Sequence, residues 1–232
     1  MKTIGLIGGM SWQSTAEYYK IINKLTEEKL GGKNSSKIII YSLNFKEITK
    51  LLESNRWDKV EEIILDSSLR VEKAGADFIL IATNTIHKIA DSIESKLSVP
   101  LINIVDSVGE EILNKGLKKV LLLGTKFTME DGFYQRKLMR KYKIETLIPD
   151  MEERKTINKI IFDELVLGEI SRKSREKLLK LIKKYRTKSE IEGVILGCTE
   201  LPLLIKKSHL EIPLINSTYI HAKKAVYEAI KK

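Results

Sequence analysis

At 232 residues, with 43% apolar and 31% charged side chains, the chain is long enough for one large or two compact domains and has an ordinary folded-protein composition. Its single cysteine excludes an intrachain disulfide and a Cys-based zinc site, and its longest apolar run, Phe78 to Ala82, falls far short of the roughly 20 residues that span a membrane. The formal charge of +10 invites a nucleic-acid partner, but the densest basic stretch, Arg172 to Lys188, carries Leu178, Leu179, Ile182 and Tyr185 at helical spacing and reads as the wet face of an amphipathic helix.

In chain order, short runs rich in Ile, Leu and Val alternate with amphipathic patterns. A strand over Thr3 to Ile7 leads to a helix over Ser14 to Leu30; a strand over Lys37 to Tyr41 leads to a helix over Trp57 to Ala74. Strands over Asp77 to Ala82 and Leu101 to Val105 precede helices over Thr85 to Ser95 and Ser107 to Lys115. The pattern then continues with strands over Val120 to Leu123 and Glu145 to Ile148, and helices over Glu130 to Tyr142, Arg154 to Leu167 and Ser171 to Lys188. Strands over Gly193 to Leu196 and Leu214 to Asn216 and a closing helix over Ser217 to Lys231 complete it. Strand–helix alternation of this kind predicts an α/β fold with parallel sheets.

The chain also repeats itself. Gly5 to Met10 resembles Leu121 to Lys126, Ile79 to Thr85 resembles Val194 to Glu200, and Val99 to Asn103 resembles Ile212 to Asn216, in the same order. Gly8 to Thr83 spans 75 positions and Gly124 to Cys198 spans 74, so the matches stay in register. The expectation is two similar parallel-sheet lobes related by a pseudo-two-fold and facing a central cleft. The first lobe is drawn as 1–98 plus 210–232 and the second as 99–209.

Parallel sheets carry their functional loops at the carboxyl ends of strands. Gly8-Gly9-Met10, Thr83-Asn84-Thr85, Gly124-Thr125 and Cys198-Thr199 all fall there. Two acid–base groups facing each other across a cleft can take a proton from one face of a carbon and return it on the other. A thiol suits such work, and a helix N-terminus just after Cys198 is expected to favour its thiolate. The first glycine turn has neither the G-x-G-x-x-G spacing nor a Walker lysine, so no nucleotide cofactor is expected. His87, His209 and His221 make no metal-binding spacing, and no metal is expected.

Gly8 to Thr15 (Gly-Gly-Met-Ser-Trp-Gln-Ser-Thr), Thr83 to Lys88 (Thr-Asn-Thr-Ile-His-Lys) and Gly197 to Glu200 (Gly-Cys-Thr-Glu) resemble the signatures of the pyridoxal-phosphate-independent aspartate/glutamate racemase superfamily over essentially the whole length. The family pattern has cysteine at both sites, whereas Thr83 stands at the first here, as in an L-aspartate/glutamate-specific subgroup that this chain resembles. The resemblance implies a cofactor-independent racemase with Cys198 as base and Thr83 as the opposite-face proton donor, converting L-substrates to D. It also implies Met10, Asn84, Thr85, Thr125, Lys126, Glu164 and Thr199 around the substrate. Lys46, Arg56 and Lys126 are the candidates for the distal carboxylate. Two alternatives stay open: a decarboxylase of malonate-type substrates, since arylmalonate decarboxylases share the fold and keep only the second cysteine, and an inactive binding protein. The chain is expected to be cytoplasmic, without a signal peptide, and to form a homodimer that binds a small amino acid rather than nucleic acid or a membrane.

Overall fold

The structure, a computed structural model, describes residues 1–231. Lys232, which the first expected lobe includes, lies outside them. The chain forms two compact units, Met1–Ile104 with the residues from His221 onward, and Val105–Ile220.

The first unit is built on three parallel strands, β1 (Ile4–Gly8), β2 (Ile38–Ser42) and β3 (Phe78–Ile81), in the order β2-β1-β3. Both β1 and β3 are buried along their whole length, which is why they read as continuous apolar runs rather than alternating ones. Their crossovers are helical: α1 (Trp12–Leu30) after β1, then α2 (Phe45–Glu53) and α3 (Trp57–Lys73) after β2. After β3 come a 3₁₀ turn, Thr85–Ile89, and the short helix α4 (Ala90–Glu94) where one helix over Thr85 to Ser95 was expected. Helix α2 has no counterpart in the sequence expectation.

The second unit begins with α5 (Ile104–Asn114) and carries a four-stranded parallel sheet. Its strands are β4 (Lys119–Gly124), β5 (Glu145–Leu147), β6 (Gly193–Gly197) and β7 (Leu214–Asn216), ordered β5-β4-β6-β7. The intervening helices are α6 (Lys126–Glu130), α7 (Phe133–Lys137), α8 (Met151–Lys159), α9 (Arg172–Ser189) and α10 (Leu201–Leu204), and α11 (Ser217–Ile230) follows β7. The stretches expected as helices over Glu130 to Tyr142 and Arg154 to Leu167 each change to wider π-type turns, at Leu138–Tyr142 and Ile160–Glu164. Helix α9 buries Leu178, Leu181 and Ile182 while its basic face points outward, with Lys184 bonded to Asp150 and Glu153.

The internal repeat is visible in the ladders. The Ile79 N–H donates to the Pro100 carbonyl at 2.9 Å, and at the equivalent place in the other unit the Val194 N–H donates to the Pro213 carbonyl at 3.0 Å. Leu101 thus bridges Ile79 just as Leu214 pairs with Val194. These bonds move both lobe boundaries from where the sequence drew them. Val99 to Asn103 completes the first sheet instead of opening the second lobe, and Leu214 to Asn216 completes the second sheet instead of returning to the first. Only from His221 does the chain rejoin the first unit, where Ala222, Ala225, Val226 and Ala229 pack with Tyr18, Ile22 and Leu80.

Close helix–strand packing leaves no room for a side chain at Gly5, where an added Cβ meets Val71 Cγ1 and Ala76 Cβ. Gly5→Val is therefore expected to lower stability by roughly 1–3 kcal/mol through overpacking. Lys20→Ala, on the exposed face of α1, should cost far less. Urea unfolding of the two variants checks the contrast.

Candidate functional site

In the first unit, β1 delivers the chain into a turn held by α1. Gly9 adopts φ +84°, and a Cβ there would collide with the Leu43 backbone, so both conformation and space require glycine. The Gly9 N–H donates to Thr15 Oγ1 at 2.7 Å, and that hydroxyl donates to the Ser11 carbonyl at 3.0 Å. The Ser11 side chain caps α1 by accepting from the Ser14 N–H, and the peptide bond before it is cis. Ser14 Oγ donates to the Ala82 carbonyl at 2.7 Å, which ties the glycine turn to the end of β3. Met10, Asn84 and Thr85 are buried in this unit and Thr83 is half-buried.

Thr83 is positioned from behind by imidazole. His87 Nδ1 donates to the Thr83 carbonyl at 2.7 Å, and the His87 ring meets His221 edge-on with centroids 5.5 Å apart. His221 Nε2 donates to the Ile102 carbonyl at 2.7 Å. Its neutral Nδ1 therefore accepts from the Tyr18 hydroxyl at 2.9 Å. Tyr18 and His221 have no exposed surface, so the network joins α1, the Thr83 turn, the Leu101 strand segment and α11 within one buried cluster.

In the second unit, Cys198 follows β6 and is 7% exposed, packed in a cluster that includes Leu121, Leu196, Leu201 and Leu204. Its Sγ–H donates to Glu200 Oε2 at 2.9 Å, and Thr199 Oγ1 donates to the same oxygen at 2.7 Å. Glu200 is itself 8% exposed. Burial pushes the thiol well above its ordinary value, and the negative charge of Glu200 and its hydrogen bond push it further. The Glu200 and Leu201 N–H groups act the other way and are outweighed. This corrects the expectation of a thiolate favoured by the following helix. That helix is only the four residues of α10, and a carboxylate stands between it and any simple dipole effect.

The remaining expected residues are divided between the units. Thr125 caps α6 through its Oγ1, and the Lys126 N–H donates to Asn158 Oδ1 at 2.8 Å while its side chain is exposed. Glu164 accepts from Ser174 Oγ at 2.8 Å, and its other oxygen is buried. Arg56 forms a two-pronged bond with Asp58 at 2.9 and 2.8 Å on the surface, so its fork is already engaged. Lys46 is exposed at the start of α2. Sequence reasoning passed over Glu200, although it stands two residues from the cysteine in the quoted Gly-Cys-Thr-Glu string. It also passed over Tyr18 and His221, which no local motif connects to Thr83.

A family model described as Asp/Glu/Hydantoin racemase matches residues 7–225. The broad specificity amino-acid racemase RacX of Bacillus subtilis (strain 168) is 26% identical over 226 residues, 96% of each chain. A glutamate racemase of Aquifex pyrophilus is 30% identical over 172 residues, covering 69% of this chain and 62% of that protein. Among solved structures, an aspartate racemase homologue from Pyrococcus horikoshii OT3 is 42% identical, with a TM-score of 0.89 and 99% of each chain covered. No helix among the described residues is long and apolar enough to cross a membrane.

The buried histidine makes a prediction about stability. His221 is held at about 4, below its ordinary 6.5, because burial disfavours the charged ring. Between those values the unfolded chain binds a proton that the folded one does not. Stability is thus present above about 6.5 and is lost as pH falls toward 4, by at most about 1.4 kcal/mol per pH unit. Urea unfolding at pH 4.5, 5.5 and 7 should show this component in the native protein and lack it in His221→Gln.

Proposed function

Because the chain belongs to the Asp/Glu/Hydantoin racemase family, we propose that it inverts the α-carbon of L-aspartate, L-glutamate or both by two-base proton transfer. Cys198, as thiolate, removes the α-proton of the L-enantiomer, and Thr83, directly or through water, returns a proton on the other face. The observation that carries this assignment is chemical asymmetry at matched positions of the repeat. Thr83 follows β3 and Cys198 follows β6, the same strand in each sheet, yet only the second carries a thiol, a group intrinsically far more acidic than an alcohol. An alcohol is a poor base near neutral pH, so α-proton removal is proposed from the L-enantiomer at Cys198 rather than from the D-enantiomer at Thr83. The charge that develops on the substrate is enolate-like, and each tenfold of rate asks for about 1.4 kcal/mol of stabilisation there.

Asn84, Thr85 and Thr199 are proposed to hold the α-carboxylate, with Met10, Thr125 and Lys126 lining the same site. Glu164 is proposed to meet the ammonium, and Lys46 or Lys126 the distal carboxylate; the bidentate pairing of Arg56 with Asp58 makes it the weaker candidate. No cofactor takes part in this scheme. A homodimer working in the cytoplasm is the assembly and location proposed.

Proton NMR in D₂O of L-Asp, D-Asp, L-Glu and D-Glu tests it. The α-proton signal of an L-substrate should decay, that of its D-enantiomer should decay far more slowly, and Cys198→Ser should slow the decay by at least about a hundredfold. Equal exchange from both enantiomers would contradict the one-sided chemistry. Absence of exchange with all four, joined to release of carbon dioxide from a malonate, would assign the chain to decarboxylation instead.

A further inference from the structure

A cysteine whose ionisation is opposed by both burial and a neighbouring carboxylate is poorly prepared to act as a base. The same neighbour supplies the remedy. Cys198 Sγ and Glu200 Oε2 are 2.9 Å apart, both residues are more than nine-tenths buried, and the hydrogen bond runs from sulfur to oxygen. We propose that Glu200 is the proton acceptor for the Cys198 thiol, so that the pair works as one acid–base unit carrying a single negative charge.

The step balances without any co-reactant. The S–H bond breaks, an O–H bond forms on Glu200 Oε2, and the electron pair stays on sulfur. Charge moves a short distance within the pair, and the total buried charge does not change. That removes the main obstacle to a thiolate here, since ionising Cys198 to bulk water would put two negative charges side by side in an apolar surround. The thiolate then takes the substrate α-proton, which leaves both a thiol and a protonated Glu200. Glu200 gives its proton to solvent, solvent replaces the proton that Thr83 gave to the product, and the pair is back at a neutral thiol and a carboxylate. Thr199 Oγ1, donating to the same carboxylate oxygen at 2.7 Å, fixes which oxygen faces the sulfur. The groups that bear on the thiol's ionisation are the Glu200 carboxylate and the Glu200 and Leu201 N–H groups. The elements packed around it, β4, α8, the Ile160–Leu167 turns, α9 and α10, present Leu121, Leu123, Ile157, Ile160, Leu165, Leu178 and Leu201 to the same cluster.

This rests on the assignment of Cys198 as base, but it has a test that needs no substrate. The chain has one cysteine, so alkylation by iodoacetamide reports on Cys198 alone. In a pair sharing one proton, the reactive thiolate is formed from the neutral thiol and the carboxylate without loss of a proton to solvent. The alkylation rate of the native protein should therefore be nearly flat from about pH 6 to 8. Glu200→Gln keeps the size and can still accept a hydrogen bond, but it cannot take the proton. Its rate should climb about tenfold per pH unit, as for an isolated thiol below its pKa. Glu200→Asp should restore a plateau in part.

With an L-substrate, Glu200→Gln should lower kcat by roughly 10²–10⁴-fold while KM changes little, and the loss should shrink as pH rises. A native alkylation rate that itself climbs tenfold per unit across this range would overturn the proposal, and that measurement requires no variant to fold. So would identical profiles for native protein and Glu200→Gln. A flat native profile without α-proton exchange would instead keep the Cys198–Glu200 pair and reject the racemase assignment.

Discussion

The hydrogen bond from the Cys198 thiol to the Glu200 carboxylate sets an acid against a base where water has little access. An ionised carboxylate in an apolar cluster is costly unless donors meet it, and here a thiol and the Thr199 hydroxyl converge on one of its oxygens. The surrounding structure keeps that geometry. Strand β6 is buried throughout and ends at Gly197, and Leu201 and Leu204 of α10 pack back into the same core as Cys198. The Cys198-Thr199-Glu200 turn is thereby anchored at both ends, and the two polar groups are forced to answer each other.

The first unit applies the same topology to different chemistry. Its sheet order, β2-β1-β3 with Leu101 bridging β3, repeats β5-β4-β6-β7, and Thr83 stands where Cys198 stands. Its support is imidazole rather than carboxylate. His87 holds the Thr83 carbonyl, while Tyr18 and Ile102 hold His221 in one tautomer. An alcohol needs no carboxylate to take its proton if its task is to give one. The two loops thus differ in chemistry, a thiol bonded to a carboxylate after β6 and a threonine whose carbonyl is held by imidazole after β3.

Much of this was legible in the sequence because the signals are local. Apolar runs without alternation marked the parallel strands, and three in-register matches marked the repeat before any ladder was known. Cys198 stood out by being alone. What escaped was long-range or a matter of environment. The lobe boundaries depended on the Ile79–Pro100 and Val194–Pro213 bonds, each joining strands that lie about 20 residues apart in sequence. The state of the thiol depended on burial and on which way the Glu200 side chain turns, and spacing fixes neither. His221 lies 134 residues from His87, and only the packing of α11 against α1 brings the rings together. The changes from α- to π-type turns at Leu138 and Ile160 left no mark in the apolar period.

Infrared spectroscopy of the S–H stretch bears most directly on the thiol–carboxylate pair, because a single cysteine gives a single band. At neutral pH the native protein should show an S–H band displaced to lower frequency by a strong acceptor, and Glu200→Gln should move it back toward that of a weakly bonded thiol. Absence of an S–H band in the native protein at neutral pH would mean that Cys198 is already ionised at rest, and the account of a thiol that yields its proton to Glu200 would be wrong.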